Sequence, residues 1–236
     1  MSKIESNLHP AQSSILYSLR HKINARYTEL QGPTNLSSDT FKFHIRKLVS
    51  MGYILKVDTG EYTLTNIGKE FANRLDEKTG YEYPNPKSSV LMLVWAQTDD
   101  GIFVLAHQRS RRPYYGFWGI ASAPLHRGVA AVQSAEQEFL KQTGIKVNFH
   151  PYGCRRIIDK NTQGDVLEDK LFVIMKAQCD EMLKPHDWTG GKSEWMSSEE
   201  LLSKDIVFST TAYALKTLNA PAEFSEETCI YTDYEY

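Results

Sequence analysis

The sequence predicts an α+β chain of two modules, and three observations carry that prediction. Residues 1–76 alternate helical apolar stripes with one short strand-turn-strand signal. Residues 90–236 mix continuous apolar, strand-like runs with a long amphipathic helix. Between them, residues 77–89 set Pro84 and Pro86 among polar neighbours, which predicts an extended and fairly stiff linker. At 236 residues the chain is long enough for two cores, in modules of roughly 75 and 145 residues.

In the first module, Pro10 to Lys22 puts Ile15, Leu16 and Leu19 on one helical stripe. Tyr27 to Leu30 reads as a short second helix, and Gly32-Pro33 punctuates the turn after it. From Leu36 to Ile54 a longer helix faces Phe41, Ile45 and Leu48 inward, with Ser37 or Ser38 as its cap and Gly52 as its stop. Lys56 to Thr65 predicts two strands around an Asp58-Thr59-Gly60 turn, and Asn66 to Leu75 a closing helix. This order resembles a winged helix-turn-helix, whose second motif helix enters the DNA major groove. The resemblance implies base or phosphate contacts from Ser38, Thr40, Lys42, Phe43 and Arg46, with Lys56 at the wing.

The second module opens on Val90 to Trp95, a continuous apolar run suited to a buried strand. A turn at Asp99-Asp100 and Gly101 leads into Ile102 to Ala106, completing a hairpin signal that runs on to Arg109. The next loop crowds together Arg109, Arg111, Arg112, Tyr114, Tyr115 and Phe117. Guanidinium groups match phosphate geometry and aromatic rings stack on bases, so the loop predicts a nucleotide-related or phosphorylated ligand. Val132 to Thr143 is an amphipathic helix stopped by Gly144. Lys170 to Met175 predicts a further strand, Ser198 to Leu202 a helix capped by Ser197 or Ser198, and Phe208 to Leu218 a last helix. Trp118 and Trp195 are expected to pack at the core or its rim.

Between Trp118 and Ile145 the chain resembles the Nudix box, G-x5-E-x7-R-E-U-x-E-E-x-G-U with U a bulky aliphatic residue. Without a gap, its first Gly falls on Ala123, its first Glu on Val129 and its Arg on Gln137. The next Glu is kept as Glu138, the paired Glu residues become Lys141 and Gln142, and the closing pair stays as Gly144-Ile145. The resemblance implies an α/β/α sandwich with a mixed sheet, and Mg²⁺- or Mn²⁺-dependent hydrolysis of nucleoside diphosphate derivatives. Positions i, i+3 and i+4 share a helix face, so the family's glutamates converge on metal. Here that face offers one anion, one cation and one amide. At about 4–5 Å, Lys141 would repel a divalent ion by several kcal/mol even in polar surroundings. No catalytic residue, metal ligand or cofactor is therefore expected.

Residues 1–80 carry eleven Lys and Arg against eight Asp and Glu, whereas the whole chain has net charge −2. A mildly basic first module before an acidic second one suits a DNA reader joined to a sensor. The pairing resembles Nudix-related transcriptional regulators, although there the winged helix follows the Nudix domain. Such regulators bind as symmetric dimers, so DNA, a small ligand and a second copy are the expected partners. One alternative is a hydrolase drawing metal ligands from Glu136, Glu138, Asp165, Glu168 or Asp169. Another is a protein- or RNA-binding adaptor. No apolar run is long enough to span a bilayer and no secretory leader is evident. Cys154, Cys179 and Cys229 are odd in number and far apart, which predicts a reducing cytoplasm without disulfide or zinc. The tail from Pro221 to Tyr236, acidic and without a basic residue, is expected to be solvated or docked on a neighbour.

Overall fold

The computed structural model describes residues 8–73, 75, 85–220, 224–232 and 234–236. The chain divides into two compact units, Met1–Pro84 and Asn85–Tyr236. In the first, helix α1 (Pro10–Arg20) starts on His9, whose Nδ1 accepts the Ala11 N–H while Gln12 returns a bond to the His9 N–H. Helix α2 (Tyr27–Gln31) runs into a 3₁₀ turn at Gly32–Thr34, and α3 (Ser38–Ser50) follows, capped by Ser37. Strands β1 (Ile54–Lys56) and β2 (Tyr62–Leu64) pair antiparallel around a turn in which Gly60 takes a φ of +83°. Helix α4 (Asn66–Ala72) closes the unit, ending three residues before the predicted Leu75. Ile15, Leu16, Leu19, Leu30, Phe41, Ile45 and Leu48 form its core, so the predicted stripes do face inward.

The second unit is a seven-stranded mixed sheet with helices on both faces. Its strands are β3 (Lys87–Thr98), β4 (Gly101–Arg109), β5 (Trp118–Pro124), β6 (His150–Lys160), β7 (Val166–Cys179), β8 (Gly191–Ser197) and β9 (Ser225–Ile230). They lie in the order β8-β4-β5-β3-β7-β6-β9, with β3·β7 and β6·β9 parallel and the other pairs antiparallel. One face packs Val90, Met92 and Val94 against Ala135 and Phe139 of α5 (Ala131–Thr143). The other packs Leu93, Val104 and Ile120 against α6 (Ser198–Leu202) and α7 (Thr211–Lys216). Gly144 ends α5 in the left-handed region at φ +73°, as its position after the last periodic residue predicts. Trp118 is buried, and Trp195 is partly buried with its indole N–H bonded to the Leu183 carbonyl at 2.8 Å. No helix among the described residues is long and apolar enough to cross a membrane.

One expectation changes and one open alternative is resolved. Of the predicted linker, residues 77–84 lie outside the described residues, while Lys87–Ser89 already belong to β3 and pair with β7. Of the two alternatives for the tail, its described residues take the docked one: Ser225–Ile230 form edge strand β9 beside β6, and Cys229 and Tyr231 are buried. Two of its acidic residues, Glu226 and Glu227, have cationic partners on β6. Arg156 reaches Glu226 at 3.2 Å and Asp169 at 2.8 Å. Arg155, buried with its guanidinium 3.7 Å from the centre of the Tyr213 ring, bonds Glu227 and the Ser225 hydroxyl. Arg155→Ala is expected to cost about 2 kcal/mol, less than a fully buried pair because Glu227 is partly solvated. Hydrogen exchange should report it as lost protection across Glu226–Ile230 with protection in β3 retained.

Candidate functional site

A cavity of about 510 Å³ opens on the face of the sheet that carries α7. Its floor is Leu91, Ile120 and Phe172, and its far wall is Asp159, Lys170 and Thr211. The arginine-rich loop after β4 forms one rim, and three of its predicted residues, Arg109, Arg111 and Tyr114, line the cavity. Lys87 and Glu168 also line it, 2.6 Å apart. Four cations (Lys87, Arg109, Arg111 and Lys170) thus face two carboxylates (Asp159 and Glu168), which leaves the cavity electropositive.

The loop is built on Tyr114. Its φ of +65° is a left-handed conformation that costs a non-glycine residue roughly 1–2 kcal/mol. The cost is met by a buried ring packed on Phe117, Phe208 and Tyr231, and by a hydroxyl donating to Asp159 Oδ2 at 2.6 Å. Burial first, then the hydrogen bond and charge of Asp159, push the phenol well above its ordinary value, so it stays protonated. Tyr114 and Phe117 are therefore core residues, 3% exposed each, rather than the stacking surface expected of them. Arg109 also departs from expectation, because its guanidinium bonds the carbonyls of Arg111, Arg112 and Pro113 and holds the loop's shape. Arg112 and Tyr115 are exposed and lie outside the cavity lining. Arg111 is left as the exposed guanidinium on the rim.

On the opposite face of the sheet, α5 brings Glu138, Lys141 and Gln142 to one side, as their spacing requires. Lys141 Nζ lies 3.3 Å from both Glu138 oxygens, and His126 Nε2 lies 3.0 Å from Oε1. Burial alone would raise the Glu138 carboxyl, but the bonds from His126 and Lys141 outweigh it and hold it below the usual glutamate value. Gln142 is buried and donates to the Ser122 carbonyl at 3.3 Å. Nothing in the sequence singled out His126 as the partner of Glu138; only the fold brings its loop onto α5. Nearby, burial drives His107 down to about 4, helped by the charges of Arg109 and Arg111, so its ring is neutral at physiological pH.

No protein-family model matches this chain, and no curated protein sequence does. Solved structures do. The NUDIX domain of Shewanella oneidensis NrtR, complexed with ADP ribose, superposes with a TM-score of 0.50 at 15% identity, over 66% of this chain and 97% of that one. The MutT protein from Bacillus halodurans does so with a TM-score of 0.50 at 20% identity, over 64% and 93%. The sheet of the second unit and its flanking helices have the Nudix fold.

The Nudix unit departs from a metal centre in its donors. Glu138 is already paired by Lys141 and His126, and positions 141 and 142 offer an ammonium and an amide. Of the other acids, Glu168 is paired with Lys87, Asp169 with Arg156 and Asp165 with Asn161, while Glu136 sits two residues before Glu138 on α5 and so off its face. Among the described residues no three His, Cys, Asp or Glu side chains gather as a metal ion requires. The residues present do not fit a divalent cation.

In the first unit, Ser38, Thr40, Lys42, Phe43 and Arg46 are all exposed along α3, and Lys56 is exposed on β1. Phe43 stands 61% exposed amid this polar face. The Thr40 hydroxyl is 2.9 Å from that of Ser37, so it acts locally at the helix cap.

Proposed function

We propose that this protein is a DNA-binding transcription regulator whose Nudix unit binds a nucleotide-related or phosphorylated metabolite without hydrolysing it. The observation that carries the reading is the electropositive 510 Å³ cavity, rimmed by Arg111, in a fold whose catalytic helix retains only Glu138. A cavity of that size suits a mononucleotide or dinucleotide fragment, and cationic groups suit its phosphates. The ADP ribose held by the Shewanella domain belongs to the same chemical class.

The first unit supports a winged helix-turn-helix reading. Its α3 projects Lys42, Phe43 and Arg46 to solvent while Phe41, Ile45 and Leu48 anchor it in the core. Cations there would meet phosphates, and Phe43 a thymine methyl, as recognition helices do. Lys56 on β1 would serve as the wing's phosphate contact. We assign the working form as a homodimer, because a dimer matches paired half-sites on a duplex. Its three free thiols suit a reducing cytoplasm.

The test measures binding of duplexes selected from a random-sequence pool, with and without ADP ribose, ADP or AMP. Wild-type protein is expected to bind a selected duplex, to change affinity when a nucleotide is added, and to leave that nucleotide intact. Arg46→Ala should weaken DNA binding and lower the log–log salt slope by about one. Failure to retain any duplex at low salt would discard the regulator in favour of an adaptor. Mg²⁺-dependent turnover would discard it in favour of a hydrolase.

A further inference from the structure

We propose that the Lys141 ammonium stands where the fold's divalent cation would act, so that Lys141 and Arg111 bind the phosphate end of the ligand directly, without metal. This rests on the reading of the Nudix unit as a nucleotide-binding module. A carboxylate holds a bridging cation in front of its two oxygens, and Lys141 Nζ occupies that place, 3.3 Å from each oxygen of Glu138. Two of its three N–H groups are turned to Glu138, and the third has no acceptor among the described residues. Its side chain is 61% exposed, so an incoming phosphate can reach it.

Three groups around Trp188 point the same way. Lys141 Nζ lies 5.9 Å and the Arg111 guanidinium 5.6 Å from the centre of the indole ring. The indole Nε1 is buried with no hydrogen-bond partner among the described residues. Two cations and an unused N–H donor around one ring make surroundings suited to an anion. Trp188 is held there by paired backbone bonds with Gly191, and it packs so closely on Gly190 that a Cβ at 190 would come within 2.2 Å of the ring. Arg111 also lines the cavity on the other face of the sheet, so it is the residue shared by the cavity and this cluster.

The charge balance decides between metal and lysine. Three glutamates on a helix face need a divalent ion before a pyrophosphate can approach. Glu138, Lys141 and Arg111 together carry one net positive charge and need none. A second cation placed beside Lys141 would be repelled.

Calorimetry with ADP, adenosine and inorganic pyrophosphate, each in Mg²⁺ and in EDTA, tests the assignment on the full chain. Wild-type affinity for ADP is expected to be the same within about twofold in the two buffers. Lys141→Ala should weaken ADP and pyrophosphate about tenfold, corresponding to one charge-assisted contact, and leave adenosine unchanged. Lys141→Arg should restore most of the loss. Lys141→Glu should bind ADP measurably only when Mg²⁺ is present. ADP binding at full affinity by Lys141→Ala, or wild-type binding that requires Mg²⁺, overturns this assignment and leaves the nucleotide-binding reading standing. Absence of all binding by the wild type overturns both.

Discussion

Gly68→Ala is expected to unfold the first unit while leaving the second intact. Gly68 sits in the first turn of α4, where a Cβ would lie 1.9 Å from the Tyr53 carbonyl oxygen and 2.8 Å from its carbon. Neither atom is the tip of a flexible side chain, so relief requires moving α4 as a whole. That movement would break a dense junction. The Thr65 N–H donates to the Tyr53 carbonyl, and the Thr65 hydroxyl donates to the Gly52 carbonyl at 2.6 Å while capping Gly68. It would also lift Phe71 and Ala72 out of the core shared with α1 and α3. Overpacking a rigid contact costs about 1–3 kcal/mol, and the lost cap and core contacts take the total beyond about 3 kcal/mol. Lys69→Ala, one residue on and facing solvent, should be close to neutral. Hydrogen exchange on the full chain provides the readout: amides of α3 and α4 should lose protection while β3 and β7 keep theirs. The DNA binding proposed for this unit should fall with α3. Retained protection in α3 would refute the prediction.

The parts of this fold that were legible in the sequence are those whose burial is apolar. Val90 to Trp95 and the hairpin at Asp99-Asp100 declare β3 and β4, and the stripe closed by Gly144 declares α5. In α3 the spacing of Phe41, Ile45 and Leu48 fixes which face is left outward, and Lys42 and Arg46 lie on that exposed side. Four strands, β5, β6, β8 and β9, stayed hidden: β8 because Lys192, Ser193 and Glu194 open it with polar residues, the others for reasons of burial and size. Along β6 the inward residues are Arg155, Ile157 and Asp159, and two of these three are charged, so no apolar period marks the strand. Their burial is licensed by partners distant in sequence, Glu227 for Arg155 and Lys170 for Asp159. Edge strand β9 reads as an acidic tail because its carboxylates Glu226 and Glu227 answer Arg156 and Arg155. Strand β5 is dominated by Gly, Ala and Ser, small residues that let helices on either side approach.

The candidate site divides along the same line. The loop's cations were readable as a phosphate-seeking cluster, but which of them face a ligand depends on local geometry. Arg109 satisfies itself on loop carbonyls and Tyr114 turns inward, so of the predicted six it is Arg111 that stands exposed on the rim. The cavity's inner wall, Asp159, Lys170 and Thr211, joins two strands and a helix separated by about fifty residues of chain. Only the sheet order, which sets β6 beside β7, makes it a wall.

That wall holds the second large effect, at Asp159. The carboxylate is 1% exposed and accepts the Tyr114 hydroxyl and the Lys170 ammonium, both at 2.6 Å and both on Oδ2. Its other oxygen, Oδ1, has no partner among the described residues. Asp159→Ala would leave an ammonium only 18% exposed without its counter-charge and a buried phenol without its acceptor. Breaking such a pair from one side costs about 3–5 kcal/mol. Removing both partners is a different matter, because desolvation of the two ions offsets most of their attraction. The variant carrying Asp159→Leu together with Lys170→Met should therefore be more stable than Asp159→Ala by at least about 2 kcal/mol, although it lacks more polar groups. Asp159→Asn falls between, since one amide oxygen can still serve Tyr114 and Lys170 while the charge is lost. Urea unfolding of the four proteins orders them, and a double variant no more stable than Asp159→Ala would show that the pair is not coupled. Binding separates stability from shape. Asp159 anchors Tyr114, and Tyr114 anchors the loop that presents Arg111, so Asp159→Ala should weaken ADP more than adenosine, as removal of Arg111 itself would. Equal losses for the two ligands would place Asp159 in the cavity wall alone, with no part in positioning Arg111.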